Sequence, residues 1–248
     1  MQDPESLLLR RELIQRGLAL GGLVVLAGCQ SSPRVDSTAK LPGPVWPEEA
    51  YAGGSVQPNI PQPTPGVPKN QPIGRPTGVI PRSQWAKGDP RWNLTKPMNG
   101  VSRITIHHEG ERVSGLRTQA QVARKLENIR QFHRSRGKEW ADIGYHYIID
   151  PAGRVWEGRP IQVEGAHVAK TNDHNLGIML MGNFDEQTPT NDQLSTLAGF
   201  VRSQMLRYRV PTSRLFTHQE LRPTACPGRS LQSFMNSARN RGGTLVLG

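Results

Sequence analysis

The chain has 248 residues, and its 31 lysines and arginines against 20 aspartates and glutamates give a formal net charge of +11. This length accommodates one large or two small domains. The charge predicts an anionic partner such as DNA, an anionic membrane surface or a cell-wall polymer, or else a basic protein that self-repulsion keeps in solution without any specific anionic contact. The sequence has no helix-turn-helix or zinc-finger pattern and no aromatic residues spaced among the basic ones, which argues against a nucleic-acid partner.

Residues 1–28 have the pattern of a secretion signal. Arg10, Arg11 and Arg16 precede the apolar run 18–27, which is about half the roughly 20 residues that a membrane-spanning helix needs. Arg10 and Arg11 also resemble the start of a twin-arginine export signature. The segment therefore predicts export rather than a permanent transmembrane anchor.

Cys29 follows Leu26-Ala27-Gly28, and together they resemble the bacterial lipoprotein box, whose cysteine is acylated and becomes the new N-terminus. The sequence thus predicts a lipoprotein held to a membrane through Cys29, on the periplasmic or outer-membrane side of the envelope. Gln30 favours the outer membrane. The alternative is an ordinary signal with an incidental cysteine. If Cys29 carries lipid, the second cysteine, Cys226, has no disulfide partner in the chain, which metal ligation would explain.

A proline-rich segment, 29–77, separates the signal from the rest of the chain. Twelve of the 21 prolines lie between Ser31 and Pro81, and aliphatic residues are few. Such a composition cannot bury a core and predicts a disordered tether, partly in the polyproline conformation. The folded domain is accordingly predicted over 78–248.

The first half of this domain predicts a strand, a helix and a hairpin in turn. Polar and apolar residues alternate over 101–108, as in a strand. Thr118–Gln121 has the spacing of a capping box and begins a helical apolar pattern. The turn residues Asp150–Gly153 suit a type I turn between two strands, 143–149 and 154–157.

The second half continues the alternation. The apolar run 176–181 predicts a strand buried on both faces, and Thr190 with Gln193 begins a second helix whose apolar stripe extends to Tyr208. A shorter helix is predicted over 231–238. Interleaved strands and helices predict an α/β fold, a single domain with a central mixed β-sheet flanked by helices.

His107 and His108 end the first predicted strand. Neighbouring strand residues point to opposite faces, so the two cannot both bind one metal without distortion. If the alternation continues, His108 lies with Ile104 and Ile106 in the core, and His107 faces the side that could open to a cleft. A lone histidine at a strand end is more often structural, so the strand alone leaves its role open.

A loop containing two prolines carries His218 and returns with Cys226 eight positions later. Imidazole and thiolate both suit zinc, and three protein ligands with one open position are the arrangement of catalytic zinc. Many loops have a histidine and a cysteine at such a spacing by chance. These residues alone therefore leave metal binding open.

Seven short segments give the domain a specific resemblance. Over 79–232 it resembles the family of peptidoglycan recognition proteins and phage-lysozyme-type (type 2) N-acetylmuramoyl-L-alanine amidases, because the segments occur in the family's order and spacing. They are Ile80-Pro81-Arg82-Ser83-Gln84-Trp85, Ile106-His107-His108, Asp142-Ile143-Gly144-Tyr145-His146, Gly153-Arg154-Val155-Trp156-Glu157-Gly158-Arg159, Gly165-Ala166-His167, Gly182-Asn183-Phe184, and His218 with Cys226-Pro227-Gly228.

The resemblance implies a zinc site in a surface groove, with His107, His218 and Cys226 as its ligands. It also implies that Tyr145 is the catalytic tyrosine, whose phenol donates to the developing oxyanion. Thr224 stands where phage enzymes have lysine and many recognition proteins have threonine. It is the second predicted catalytic residue, although it supplies no positive charge.

The resemblance further implies contacts with the peptide stem of peptidoglycan. Trp140 and Arg159 match positions that read the diaminopimelate carboxylate, for which a guanidinium is well shaped. Glu139 departs from the family's usual glycine there. His167 is expected to line the substrate groove.

The predicted reaction is hydrolysis of the amide between N-acetylmuramic acid and L-alanine, and the predicted partner is peptidoglycan or its muropeptides. Relatives that only bind typically lack the cysteine, so Cys226 favours hydrolysis. The alternative is a non-catalytic peptidoglycan-binding lipoprotein that uses the same groove. A purely structural tether between envelope layers would give no reason for His107, Tyr145 and Cys226 to occur together.

Overall fold

Five strands and four helices make up the regular structure of the described residues. The computed structural model describes residues 78–135 and 137–247. The elements in chain order are β1 (Arg103–His108), α1 (Gln119–Arg134), β2 (Tyr147–Ile149), β3 (Val155–Glu157), β4 (Asn175–Leu180), α2 (Asn191–Tyr208), β5 (Leu215–Thr217), α3 (His218–Leu221) and α4 (Arg229–Arg239). Short 3-10 turns at Arg82–Gln84, Trp92–Leu94 and Thr212–Arg214 connect them.

The strands form one mixed sheet in the order β3-β2-β4-β1-β5. β1 is parallel to β4 and to β5, and β4 is parallel to β2. Only β3 runs antiparallel to its neighbour, β2. The carboxyl ends of the four parallel strands therefore meet at one edge, where open α/β sheets place their ligands.

Two apolar cores lie on opposite faces of the sheet. The first joins one face of β1 and β4 to α2 and α4, through Ile104, Ile106, Leu176, Ile178, Leu180, Leu197, Val201, Met205, Leu231 and Met235. The second lies under α1 and includes Val122, Leu126, Ile143, Tyr145, Ile148, Trp156 and Met179. Burial of this apolar surface on both sides holds β1 and β4 completely inside the fold.

Both predicted capping boxes are present. The Thr118 side chain accepts from the amide of Gln121 and Thr190 accepts from Gln193, with each glutamine side chain reaching back to its cap. The Asp150–Gly153 turn closes with a hydrogen bond from the Gly153 amide to the Asp150 carbonyl. The α/β fold with a central mixed sheet flanked by helices is confirmed.

Several element boundaries differ from the prediction, and two short elements were not predicted. β1 begins at Arg103, and the first hairpin strand spans only Tyr147–Ile149 because 143–146 leaves the sheet. β5 and α3 were missed, since three and four residues are too few to show a period. His218 accordingly begins a short helix instead of lying in a loop.

The predicted signal, 1–28, and the predicted tether, 29–77, lie outside the described residues, as does the predicted lipidation site, Cys29. Among the helices of the described residues, none is both long and apolar enough to span a bilayer.

Candidate metal centre

Two neighbouring parallel strands bring His107 and His218 together. Ile106 of β1 pairs with Thr217 of β5, so His107 and His218, which follow them, lie side by side at the carboxyl ends of the two strands. The two imidazole rings lie 4.7 Å apart, centroid to centroid. Sheet register therefore places residues that are far apart in the chain side by side.

The capping box of α3 fixes His218 as the first residue of that helix. The Glu220 carboxylate, three residues on, accepts from the Thr217 amide at 2.8 Å. The following loop is tied back, because the Gln219 amide donates to the Cys226 carbonyl at 2.9 Å. Cys226 is thus held against the two histidines.

His107, His218 and Cys226 form a compact group of possible metal ligands. All three are buried, and one ligand atom from each lies within 4.8 Å of the others. Nδ1 of His107 is 3.6 Å from Sγ of Cys226. With zinc–nitrogen and zinc–sulfur bonds of about 2.0 and 2.3 Å, a tetrahedral ion separates such ligands by roughly 3.5 Å. The donor set and this distance fit zinc.

Burial sets the protonation of all three groups. It lowers the pKa of His107 well below its usual value, with His218 and His167 adding to the shift, and it lowers the pKa of His218 to about 3. Burial also raises the pKa of the Cys226 thiol to about 12. Neutral imidazoles keep a lone pair for a metal, and a bound cation would be needed to hold Cys226 as a thiolate at neutral pH.

His108 lies on the other face of β1, as the strand alternation predicted. Its Nδ1 accepts from the Phe184 amide at 3.3 Å, and Phe184 belongs to the core shared with Ile104 and Ile106. This histidine links β1 to the segment that follows β4. Only the side chain of His107 belongs to the metal-ligand group, whereas His108 reaches it through its main-chain amide, which donates to Sγ of Cys226 at 3.3 Å.

Tyr145 stands beside this group. Its ring centroid is 5.2 Å from that of His107, and 5% of the residue is exposed. Burial, with further contributions from Cys226 and Glu109, raises the pKa of its phenol above the ordinary value. The phenol therefore stays protonated and can act as a hydrogen-bond donor.

Thr224 lies two residues before Cys226, and its side chain is partly exposed. Its hydroxyl oxygen accepts from the Cys226 amide at 3.2 Å. Because that contact uses only the oxygen, the hydroxyl hydrogen is left to donate elsewhere. Thr224 thus stabilises the loop and still has a hydroxyl hydrogen that can be donated to a substrate.

Trp140 forms an aromatic cluster next to Tyr145. Its ring lies 4.6 Å from that of His133, whose ring is 6.1 Å from Tyr145. The Lys138 ammonium lies over the Trp140 ring, 5.0 Å from its centroid, and 5.4 Å from that of Phe132. The sequence analysis missed Lys138, which brings a cation to the place where a carboxylate was expected to bind.

Arg159 is engaged with the main chain. Its Nε, Nη1 and Nη2 donate to the carbonyls of Ile143, Glu164 and Asp142 at 2.8, 3.0 and 2.9 Å, and 4% of the residue is exposed. The guanidinium ties its own strand end to residues 142–143 and to Glu164. These contacts use three of the five N–H donors of the guanidinium, and the expected clamp on a substrate carboxylate stays a prediction.

His167 is also enclosed rather than lining an open groove. It is 3% exposed, and its ring nitrogens contact Nε2 of His107 at 3.1 Å and the Asn175 carbonyl at 3.0 Å. Both polar atoms of the ring are occupied by protein partners. The expected contact of His167 with substrate stays a prediction.

Sequence reasoning also missed Glu109 and Lys125. Glu109 follows His108 directly, and its carboxylate lies 2.5 Å from the Lys125 ammonium of α1. Burial raises the pKa of Glu109 to about 7, partly offset by Lys125. An acidic residue next to a histidine pair was the available signal, but its lysine partner lies on a separate helix.

Comparison with known proteins gives the family. Residues 97–229 match the model of the family described as N-acetylmuramoyl-L-alanine amidase, Amidase_2. The chain belongs to this family. Membership in Amidase_2 confirms the resemblance to type 2 amidases and peptidoglycan recognition proteins, and it assigns the chain to proteins that bind peptidoglycan or cleave it as amidases.

Individual relatives agree with the family assignment. The chain is 31% identical over 154 residues to peptidoglycan-recognition protein SC2 of Drosophila melanogaster, which covers 62% of this chain and 82% of the relative. The structure of Drosophila PGRP-LB has a TM-score of 0.58 at 26% identity, covering 64% of this chain and 92% of that one. Peptidoglycan recognition protein-LE in complex with tracheal cytotoxin, a monomeric diaminopimelic acid-type peptidoglycan, has a TM-score of 0.56 at 28% identity, with coverages of 62% and 89%.

Proposed function

We propose that the chain is a zinc-dependent N-acetylmuramoyl-L-alanine amidase that hydrolyses the amide between N-acetylmuramic acid and L-alanine. The observation that carries the proposal is the buried group of His107, His218 and Cys226 beside the protonated phenol of Tyr145. Three ligands leave a fourth position for water or substrate, as in catalytic zinc sites. A donor next to that position suits acyl transfer to water.

Each residue of the site has a distinct task. Bound zinc would supply a Lewis acid for the scissile carbonyl and would acidify the attacking water. Tyr145 donates a hydrogen bond to the carbonyl oxygen as it gains negative charge, and its raised pKa keeps the phenolic proton in place. Thr224 offers a second, neutral donor from the loop that carries Cys226.

Recognition of the peptide stem is assigned to the aromatic cluster around Trp140. The stem carries carboxylates, and the Lys138 ammonium over the Trp140 ring provides a positive charge. Peptidoglycan recognition protein-LE is seen with a diaminopimelic acid-type muropeptide, which supports a muropeptide as the ligand of this chain too.

Digestion of purified sacculi by the full chain tests the proposal. New L-alanine amino termini should appear with zinc, vanish with a chelator and return when zinc is restored. Conversion of Cys226 to serine should abolish them. If the wild-type protein with bound zinc holds muropeptides but releases no amino termini, the chain is the non-catalytic binding protein and the amidase proposal fails.

We also propose that the protein is exported and attached to a membrane through lipid on Cys29. The sequence Leu26-Ala27-Gly28-Cys29 supports this assignment. Radiolabelled palmitate should be incorporated into the wild-type protein and not into a Cys29→Ala variant. Release of both proteins into the soluble fraction without label would contradict it.

A further inference from the structure

His167 occupies a closed site behind His107, on the side away from Cys226. Two glycines make room for its ring, because a Cβ at Gly177 would lie 2.5 Å from the ring carbon Cδ2 and a Cβ at Gly165 would overlap the same atom. Asn172 holds the loop, since its side-chain oxygen accepts from the amides of His167 and Val168 at 2.9 Å. The imidazole is therefore fixed in orientation as well as in place.

The contacts of this ring determine where its proton lies. Nε2 of His167 is 3.0 Å from the carbonyl oxygen of Asn175, and a carbonyl can only accept, so Nε2 carries the hydrogen. A neutral imidazole with hydrogen on one nitrogen has a lone pair on the other, so Nδ1 of His167 is an acceptor.

The position of the hydrogen on His107 follows from that of His167. Its Nε2 is 3.1 Å from Nδ1 of His167, which accepts, so Nε2 of His107 carries the hydrogen and donates it. Nδ1 of His107 is then bare, and this atom lies 3.6 Å from Cys226 Sγ. The chain of hydrogen bonds starts at the carbonyl of Asn175, the first residue of β4. The pairing of Asn175 with Arg103 of β1 fixes the position of this carbonyl.

We propose that His167 is a positioning residue that fixes the tautomer of His107, so that His107 presents an unprotonated Nδ1 to the metal. The inference rests on the proposed metal site but does not depend on which bond the enzyme cuts. Loss of such a supporting partner typically costs 10–100-fold in metal affinity. Close packing of the His167 ring against Gly165 and Gly177 restricts its movement and keeps it aligned with His107.

Two substitutions separate the hydrogen bond from the packing. In His167→Asn the side-chain oxygen can lie near the former Nδ1 and accept from His107, whereas His167→Leu fills space but accepts nothing. We expect the asparagine variant to bind zinc nearly as tightly as wild type and the leucine variant to lose about 10–100-fold, measured by competition with a chromophoric chelator. His174→Asn, a histidine outside the chain of hydrogen bonds, serves as the control and should bind as wild type.

Long-range proton–nitrogen correlation spectra of the zinc-free protein give a readout that does not involve activity. Wild type and His167→Asn should show His107 protonated at Nε2, and His167→Leu should show a mixture of tautomers. A wild-type His107 protonated at Nδ1, or a folded His167→Leu variant with unchanged zinc affinity, would overturn the proposal. If the leucine variant fails to fold, the wild-type and asparagine spectra decide the outcome.

The proposed function can fail separately. Zinc bound with wild-type affinity and the expected tautomer, but without cleavage of sacculi, would refute the amidase and leave the role of His167 intact. Failure of the wild-type chain to bind zinc would refute both.

Discussion

Nδ1 of His107 lies 3.6 Å from Sγ of Cys226, although the two residues are 119 positions apart in the chain. Parallel pairing of β1 with β5 places the first beside His218, and the loop after α3 returns the second to them. The metal-ligand group therefore depends on long-range sheet pairing and not on a contiguous motif.

The first prediction concerns the two adjacent histidines of β1. His107→Asn should reduce bound zinc to a small fraction of one ion per chain, because it removes a ligand and weakens binding by more than the roughly 100-fold expected for a lost supporting partner. His108→Asn is the matched control, since its ring faces the opposite core. Metal analysis of the two purified variants checks this, and equal zinc content would contradict the assignment.

The second prediction concerns Tyr145. Tyr145→Phe should keep its zinc and its fold but lower kcat by roughly 100–1,000-fold, as for loss of one oxyanion donor. KM should change little, because the phenol acts on charge that develops in the transition state. Tyr147→Phe, in the core on the opposite face, is the control and should retain activity. An unchanged kcat in Tyr145→Phe would remove this residue from the reaction.

The sequence allowed the ligand group to be predicted, but it did not show which protein partners the surrounding residues have. Strand alternation selects His107 over His108 because a strand has a period of two residues, and both helix caps follow from the local spacing of Thr118–Gln121 and Thr190–Gln193. Such signals lie within a few neighbouring positions of the sequence. They are enough to predict the strand or helix in which they occur.

Arg159 and His167 could not be placed in this way. The three carbonyls that bind Arg159 and the carbonyl that orients His167 belong to other segments of the chain. A motif gives the residue type at a position but not whether its polar atoms are already occupied. That information comes only from the packed structure.

The third prediction follows from the contacts of Arg159. Arg159→Lys keeps the positive charge but replaces the planar guanidinium with a single ammonium group. Some of the three carbonyls therefore lose their hydrogen-bond donor. We expect the free energy of unfolding to fall by about 3 kcal/mol, measured by urea denaturation. Folded variant protein should bind muropeptides nearly as tightly as wild type. If the variant is as stable as wild type but binds muropeptides more weakly, Arg159 acts as a clamp on the substrate carboxylate.

The fourth prediction concerns acid stability. Burial lowers the pKa of His133 to about 3, and its Nδ1 accepts from the Gly144 amide at 3.2 Å. The unfolded chain, with a histidine pKa near 6.5, binds this proton more readily than the native state. The resulting stability is complete above about pH 6.5 and is lost progressively as the pH falls towards 3.

His133→Asn tests this contribution, because an amide oxygen can still accept but cannot titrate in that range. The free energy of unfolding of the zinc-free protein is measured by urea denaturation between pH 4 and 6.5. Its slope against pH should be lower in the variant than in wild type by up to about 1.4 kcal/mol per pH unit. His174→Asn should leave the slope unaltered. Identical slopes for wild type and His133→Asn would show that His133 does not carry the effect.

The last prediction concerns the residue before Trp140. Glu139 has φ of +51°, a left-handed conformation that costs a residue with a side chain roughly 1–2 kcal/mol. Glycine adopts it without that cost but gains entropy in the unfolded chain, worth about 0.4–1 kcal/mol. Glu139→Gly should therefore raise the free energy of unfolding by up to about 1 kcal/mol, measured by urea denaturation. Glu186→Gly, at a position without positive φ, should lower it, and a Glu139→Gly variant less stable than wild type would show that the glutamate side chain makes a stabilising contact.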